Sequence, residues 1–66
     1  MEVYINHKAV DATGVGNLAD LLEREGLAQP GTAVATGNTV VRRDSWASTP
    51  LEEGMKLTVI RAVCGG

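Results

Sequence analysis

Asn17-Leu18-Ala19-Asp20-Leu21-Leu22-Glu23-Arg24-Glu25-Gly26 is the stretch of this 66-residue chain in which the spacing of residues is helical rather than extended. Leu18, Leu21, Leu22 and Glu25 recur at that spacing, and the three leucines form one apolar stripe. Asn17 stands at the N-cap, where its side chain can accept from a free N–H of the first turn. Asp20 and Glu23 set negative charge toward the positive end of the helix dipole. Gly26 supplies the left-handed stop, Leu27 folds back under the helix, and Gln29-Pro30-Gly31 forbids continuation.

Outward from this helix the period changes to two. On the N-terminal side, Met1, Val3 and Ile5 alternate with Glu2, Tyr4 and Asn6, the pattern of a half-buried strand. Asn6-His7-Lys8 is a polar break before Ala9-Val10-Asp11-Ala12, so the first two strands are expected to form an antiparallel hairpin. On the C-terminal side, Thr32–Thr36 and Thr39–Arg42 flank Gly37-Asn38, a pair suited to positive φ in a second hairpin. Asp44-Ser45-Trp46-Ala47 reads as a single capped turn and Pro50–Gly54 as a surface turn. Met55–Val63 reads as the longest strand, with Met55, Leu57, Val59 and Arg61 on one face and Lys56, Thr58, Ile60 and Ala62 on the other.

One amphipathic helix among these strands predicts a two-layer α+β arrangement, with a mixed sheet of four to five strands and the helix packed on one face. The order strand, strand, helix, strand, short strand, strand matches the β-grasp, in which the first and last strands lie parallel in the middle of the sheet. The two strongest extended runs here are the first and the last. Residues 1–66 are expected to form one domain, because a chain of this size buries only ~60% of the surface its unfolded form exposes and cannot fill two cores.

Composition narrows the function classes. A net charge of -2 and a pI near 5.1 oppose nucleic-acid binding, which rewards clustered Lys and Arg. No apolar run approaches the ~20 residues of a membrane span, and no basic stretch with an apolar segment precedes the first strand, so a cytoplasmic protein without a membrane partner is expected. One cysteine and one histidine make neither an internal disulfide nor a zinc site. No phosphate loop, nucleophile elbow or Cys–His pairing is present, so an enzyme is not expected.

What is unusual is the C-terminal end, Ala62-Val63-Cys64-Gly65-Gly66. Terminal glycines are often merely frayed; their place directly after the last strand of this pattern gives them weight. Extended at ~3.3–3.6 Å per residue, this tail reaches about 17 Å, far enough to leave the domain and enter another protein's cleft. Gly65 and Gly66 carry no side chain to obstruct the approach of the Gly66 carboxylate to a nucleotide α-phosphate. A carboxylate is a poor acyl donor, because its leaving group would be oxide. Conversion to a mixed anhydride with AMP corrects this, and sulfur can then displace AMP to leave a C-terminal thiocarboxylate. A flexible tail over 62–66 is therefore expected, with Gly66 as the reacting residue and Gly65 and Cys64 threading the cleft.

Several local matches make the chain resemble the thiamine sulfur-carrier family, ThiS, over nearly its whole length. Met1 to Asn6 is similar to the family's first strand ending in Asn. Asn17-Leu18-Ala19-Asp20-Leu21-Leu22 resembles its Thr-Leu-x-Glu-Leu-Leu helix start, and Val41-Arg42-Arg43-Asp44-Ser45-Trp46 resembles its Val-Pro-Arg-x-x-Trp segment. Leu51-Glu52-Glu53-Gly54 and Gly65-Gly66 complete the pattern. Arg42 stands where the family has proline, Gly37-Asn38 inverts its more frequent Asn-Gly, and Met55 occupies a position that is commonly acidic. The resemblance implies a sulfur carrier acted on by partners. An E1-like adenylyltransferase (ThiF-type) would adenylate Gly66 with ATP, a cysteine desulfurase or sulfurtransferase would supply sulfur, and thiazole synthase (ThiG-type) would receive it. The carrier would hold no cofactor or metal and would be a monomer when alone.

The remaining residues of note are weighed against ordinary structural roles. Trp46 reads as a packing anchor, His7 as a hairpin residue and Cys64 as an incidental small residue. Tyr4, Thr58 and Ile60 point away from the helix onto a face that nothing else in the chain covers, and with Arg61 beside the tail they form a candidate docking surface. Two other functions share the terminal glycines: the small subunit of molybdopterin synthase, whose members tend to be longer, and a ubiquitin-like protein modifier.

Overall fold

A computed structural model describes residues 1–61 of the chain. The strand end at Ala62–Val63 and the expectations for Cys64, Gly65 and Gly66 lie outside the described residues. Strands β1 (Glu2–Ile5), β2 (Lys8–Asp11), β3 (Thr32–Thr36), β4 (Thr39–Val41) and β5 (Lys56–Arg61) form one five-stranded sheet in the order β2-β1-β5-β3-β4. The first and last strands are parallel neighbours, with Tyr4 opposite Lys56 and Ile5 opposite Leu57. The other three pairings are antiparallel. This mixed sheet with one helix on one face is the expected α+β, β-grasp arrangement.

Turn chemistry sets the two hairpins. Asn6 and His7 both take positive φ, 52° and 70°, and leave Ile5 opposite Lys8. Two such residues make the type I′ turn, whose twist matches that of the strands it joins. In the second hairpin only Gly37 has positive φ, at 61°; Asn38 does not share it, so a single left-handed residue closes Thr36 onto Thr39. That is the demand of a type II′ turn, which takes glycine at its first central position.

The helix α1 spans Leu18–Arg24. Asn17 caps it by accepting from the Asp20 N–H at 2.8 Å. At the other end Gly26 has φ 73°, its N–H donates to Glu23 and the Leu27 N–H donates to Leu22. These two bonds are a Schellman motif, and they turn Leu27 back against the core. Leu18, Leu21 and Leu22 are fully buried and meet Val3, Ile5, Val34 and Leu57 from the sheet. Each such leucine is worth ~1.5–3 kcal/mol of transfer free energy. Glu25, though in register with the stripe, is exposed at the helix end, and Met1 is 44% exposed rather than packed beside Val3.

The segment after β4 is a 3-10 helix over Arg43–Ser48 that lies against α1. It differs from the expected capped turn: the N-cap position falls on Arg42, which makes no side-chain cap bond, while Asp44 pairs loosely with Arg42 at 3.9 Å. Trp46 holds the segment down instead. The residue is 3% exposed and its Nε1–H donates to the Val41 carbonyl at 3.0 Å. The Arg43 guanidinium lies 4.7 Å from the ring centroid and also donates to the Ala28 and Gln29 carbonyls. Arg43 therefore links the 3-10 helix to the loop between α1 and β3.

Candidate functional site

Strand β5 is central in the sheet, and its direct continuation is the segment 62–66. Its two edges are held differently. On the β3 side pairing runs from Leu57 opposite Thr36 to Arg61 opposite Thr32. On the β1 side the ladder is shorter: the Tyr4 N–H donates to Met55 and the Asn6 N–H to Leu57, after which β1 turns away. The Asn6 side chain then takes over. Its Nδ2 donates to the Val59 carbonyl at 3.0 Å and its Oδ1 accepts from the Val59 N–H at 2.9 Å. A side-chain amide carries one donor group and one acceptor, so it can stand in for a peptide unit at a strand edge.

The face of the sheet opposite α1 is uncovered by any described element. Cross-strand register places Tyr4, Lys56, Thr58 and Ile60 there, together with Ala33 opposite Ile60, Ala35 opposite Thr58, and Val40 opposite Ala35. Ile60 is 60% exposed and Val40 is 69% exposed. Large aliphatic side chains left in water on adjoining strands form a patch that a partner can cover. Of the four residues expected to form a docking surface, Tyr4, Thr58 and Ile60 share this face. Arg61 does not; it lies in register with Leu57 and Val59 on the helix side of the sheet, at the exposed end of β5.

Ala33, Ala35 and Val40 escaped the reading of single strands because each run alone gives only its own alternation. The signal that finds them is register. Once Gly37-Asn38 is taken as a two-residue loop, Ala35 and Val40 must face the same way, and the antiparallel pairing with β5 adds Ala33 beside Ile60. The same face carries a depression of about 380 Å³ between the β1–β2 turn and the start of β5, lined by Tyr4, Asn6, His7, Lys56, Leu57 and Thr58.

No charged or polar side chain is buried among the described residues, and no three His, Cys, Asp or Glu cluster there to hold a metal. Among the described residues, exposed Asp11 is the carboxylate whose surroundings shift its titration. The Thr13 hydroxyl donates to its carboxylate at 2.6 Å and the Thr13 N–H at 2.9 Å, which hold the carboxyl below its usual value. This is a turn-stabilising pair beside β2. No helix is long and apolar enough to cross a membrane among the described residues.

Comparison with known proteins agrees with this architecture. A solved structure of a thiamine biosynthesis protein (ThiS) from Geobacter metallireducens superposes with a TM-score of 0.80 at 23% identity, each chain covered in full. The curated sulfur carrier protein ThiS of Escherichia coli (strain K12) is 26% identical over 66 residues, again with complete coverage of both chains. The model of the ThiS family matches residues 3–66, from the first buried strand residue to the final glycine. The chain belongs to the ThiS family.

Proposed function

We propose that this chain is a sulfur carrier of thiamine biosynthesis whose reacting group is the carboxylate of Gly66. A ThiF-type, E1-like adenylyltransferase joins that carboxylate to the AMP of ATP and releases pyrophosphate. Sulfur drawn from cysteine by a desulfurase then displaces AMP, and the resulting thiocarboxylate passes its sulfur to a ThiG-type thiazole synthase. The domain is a handle by which those enzymes hold and position the tail, and ATP is a substrate of the partner rather than a ligand of the carrier.

The observation that carries this reading is the family match running to residue 66, on a fold whose central strand leads directly into 62–66. Membership in ThiS and the full-length likeness to a curated sulfur carrier favour the thiamine pathway over molybdopterin synthesis or protein modification. The uncovered sheet face, with Ile60 and Val40 in water, supplies the docking surface. Removal of Gly65 and Gly66 tests the reading: the shortened chain is expected to bind the adenylyltransferase yet support no ATP–pyrophosphate exchange. Exchange at the undiminished rate would refute it.

A further inference from the structure

Asn6 does more than close the first hairpin. Strand β5 is held on both edges as far as Leu57, whose carbonyl accepts from the Asn6 N–H. Beyond Leu57 the β1 side contributes the Asn6 side chain, bonded to both backbone groups of Val59 at 3.0 and 2.9 Å. The β3 side continues to Arg61 opposite Thr32. The bridge thus lies past the last β1 partner and just short of the segment 62–66. Both of its bonds are exposed, where water competes for the same groups and the net return in stability is small. Glycine would meet the positive φ of the turn equally well. What the amide adds is a second edge for the end of the strand.

We infer that Asn6 is a positioning residue for the reaction at Gly66: its amide fixes the point at which the chain leaves the sheet, and with it the delivery of the terminus to the adenylating enzyme. The inference rests on the proposed function, which supplies the reaction, and adds a residue of the folded domain to it. A strand end held on one edge opens more readily than one held on both. Opening from Thr58 adds 58–61 to the length that must be guided into the enzyme's cleft. The effective concentration of a tethered end falls roughly as the −3/2 power of that length, here by about twofold. A looser base also misdirects the carboxylate, and small misplacements of reacting groups carry large rate penalties. Loss of the bridge therefore acts on the step after docking rather than on docking itself.

The test uses the full chain, the purified adenylyltransferase of the same organism and ATP. Transfer of AMP to Gly66 is followed in single turnover, with enzyme raised to saturation, for wild type, Asn6→Gly, Asn6→Asp and Arg24→Ala. Arg24→Ala controls for stability alone: its guanidinium donates to the Asp11 and Thr13 carbonyls at the far end of β1, where Asp11 stands opposite Glu2. Asn6→Gly is expected to lower the maximal rate by about three- to tenfold. The enzyme concentration giving half the maximal rate is expected to stay within about twofold of wild type. Asn6→Asp keeps the acceptor for the Val59 N–H and is expected to recover part of the rate, whereas Arg24→Ala is expected to keep all of it. Hydrogen exchange at the Val59 amide is expected to quicken in Asn6→Gly, which reports loss of the bridge. An unchanged maximal rate despite that faster exchange overturns the inference and leaves the proposed function standing. So does an equal loss of rate in Arg24→Ala, which assigns the effect to stability, or a loss confined to half-saturation, which assigns Asn6 to the contact with the enzyme. Failure of the wild type to accept AMP overturns both.

Discussion

Asn6 and Val59 are joined by two hydrogen bonds, so that one side-chain amide satisfies both backbone groups of a residue in the central strand. Asn6 also holds φ at 52° in the turn that takes β1 away from β5. The same residue ends one strand and extends the edge of the other. This is a physical reason for asparagine here: it tolerates the left-handed region better than other non-glycine residues, and its amide is the size of a peptide unit.

Two substitutions separate these roles. Asn6→Gly keeps the positive φ but loses the bridge, and is expected to cost ~1–2 kcal/mol, the net value of two hydrogen bonds. Asn6→Ala adds the strain of an alanine in the left-handed region, for a total of ~2–4 kcal/mol. Urea denaturation measures both; an Asn6→Gly variant as stable as wild type would show that the bridge contributes nothing.

Trp46 is the only tryptophan and is 3% exposed, so its fluorescence reports unfolding directly. Arg43→Ala removes a cation–π contact worth ~0.5–1 kcal/mol and the bonds to Ala28 and Gln29, and is expected to lower stability by ~1–2 kcal/mol. Arg43→Lys is expected to recover only part of this, because an ammonium lacks the planar fork that serves the ring and two carbonyls together. Full recovery by lysine would assign the effect to charge alone.

Asp11 predicts a specific acid sensitivity. Its folded carboxyl is held below the ordinary 3.8, first by the Thr13 hydroxyl and then by the Thr13 N–H. A depressed carboxyl stabilises the fold above its unfolded pKa, and that contribution is lost as pH falls through the lower folded value. The difference in urea midpoint between wild type and Thr13→Val is therefore expected to be constant near neutrality and to shrink below pH 3.8. A difference that grows on acidification would contradict the assignment.

Ile60→Glu tests the apolar half of the outer face. At 60% exposure the side chain contributes little to folding, and stability is expected to stay within ~0.5 kcal/mol of wild type. Affinity for the adenylyltransferase is expected to fall by about tenfold or more, as when a buried interface anchor is replaced by a charge. Unchanged affinity would move the docking surface elsewhere.

Much of the fold was legible because local signals agreed with the tertiary answer. The leucine stripe, Asn17 cap and Gly26 stop located α1, and Asn6-His7 and Gly37-Asn38 marked both hairpins before any pairing was known. What single-strand patterns do not contain is the relation between strands. Arg61 is next to Ile60 in sequence, yet the pleat turns it to the opposite face, so of the four expected docking residues it alone leaves the surface of Tyr4, Thr58 and Ile60. The Asn6–Val59 bridge spans 53 positions and leaves no trace in either neighbourhood. The capped turn expected over Asp44-Ser45-Trp46-Ala47 is a 3-10 helix over Arg43–Ser48 with no side-chain cap, held by the packing of Trp46 and the Arg43 contacts. Gly66, where the chemistry is proposed, is singled out by residue type and by its place after the last strand, and it lies outside the described residues.

The most direct measurement is the intact mass of the chain after incubation with ATP, the ThiF-type adenylyltransferase, a cysteine desulfurase and cysteine. The account predicts replacement of one oxygen by one sulfur, confined by fragmentation to Gly66 and dependent on ATP. A chain that stays at its original mass under conditions in which the enzyme binds it, or that gains sulfur only at Cys64, would contradict the account.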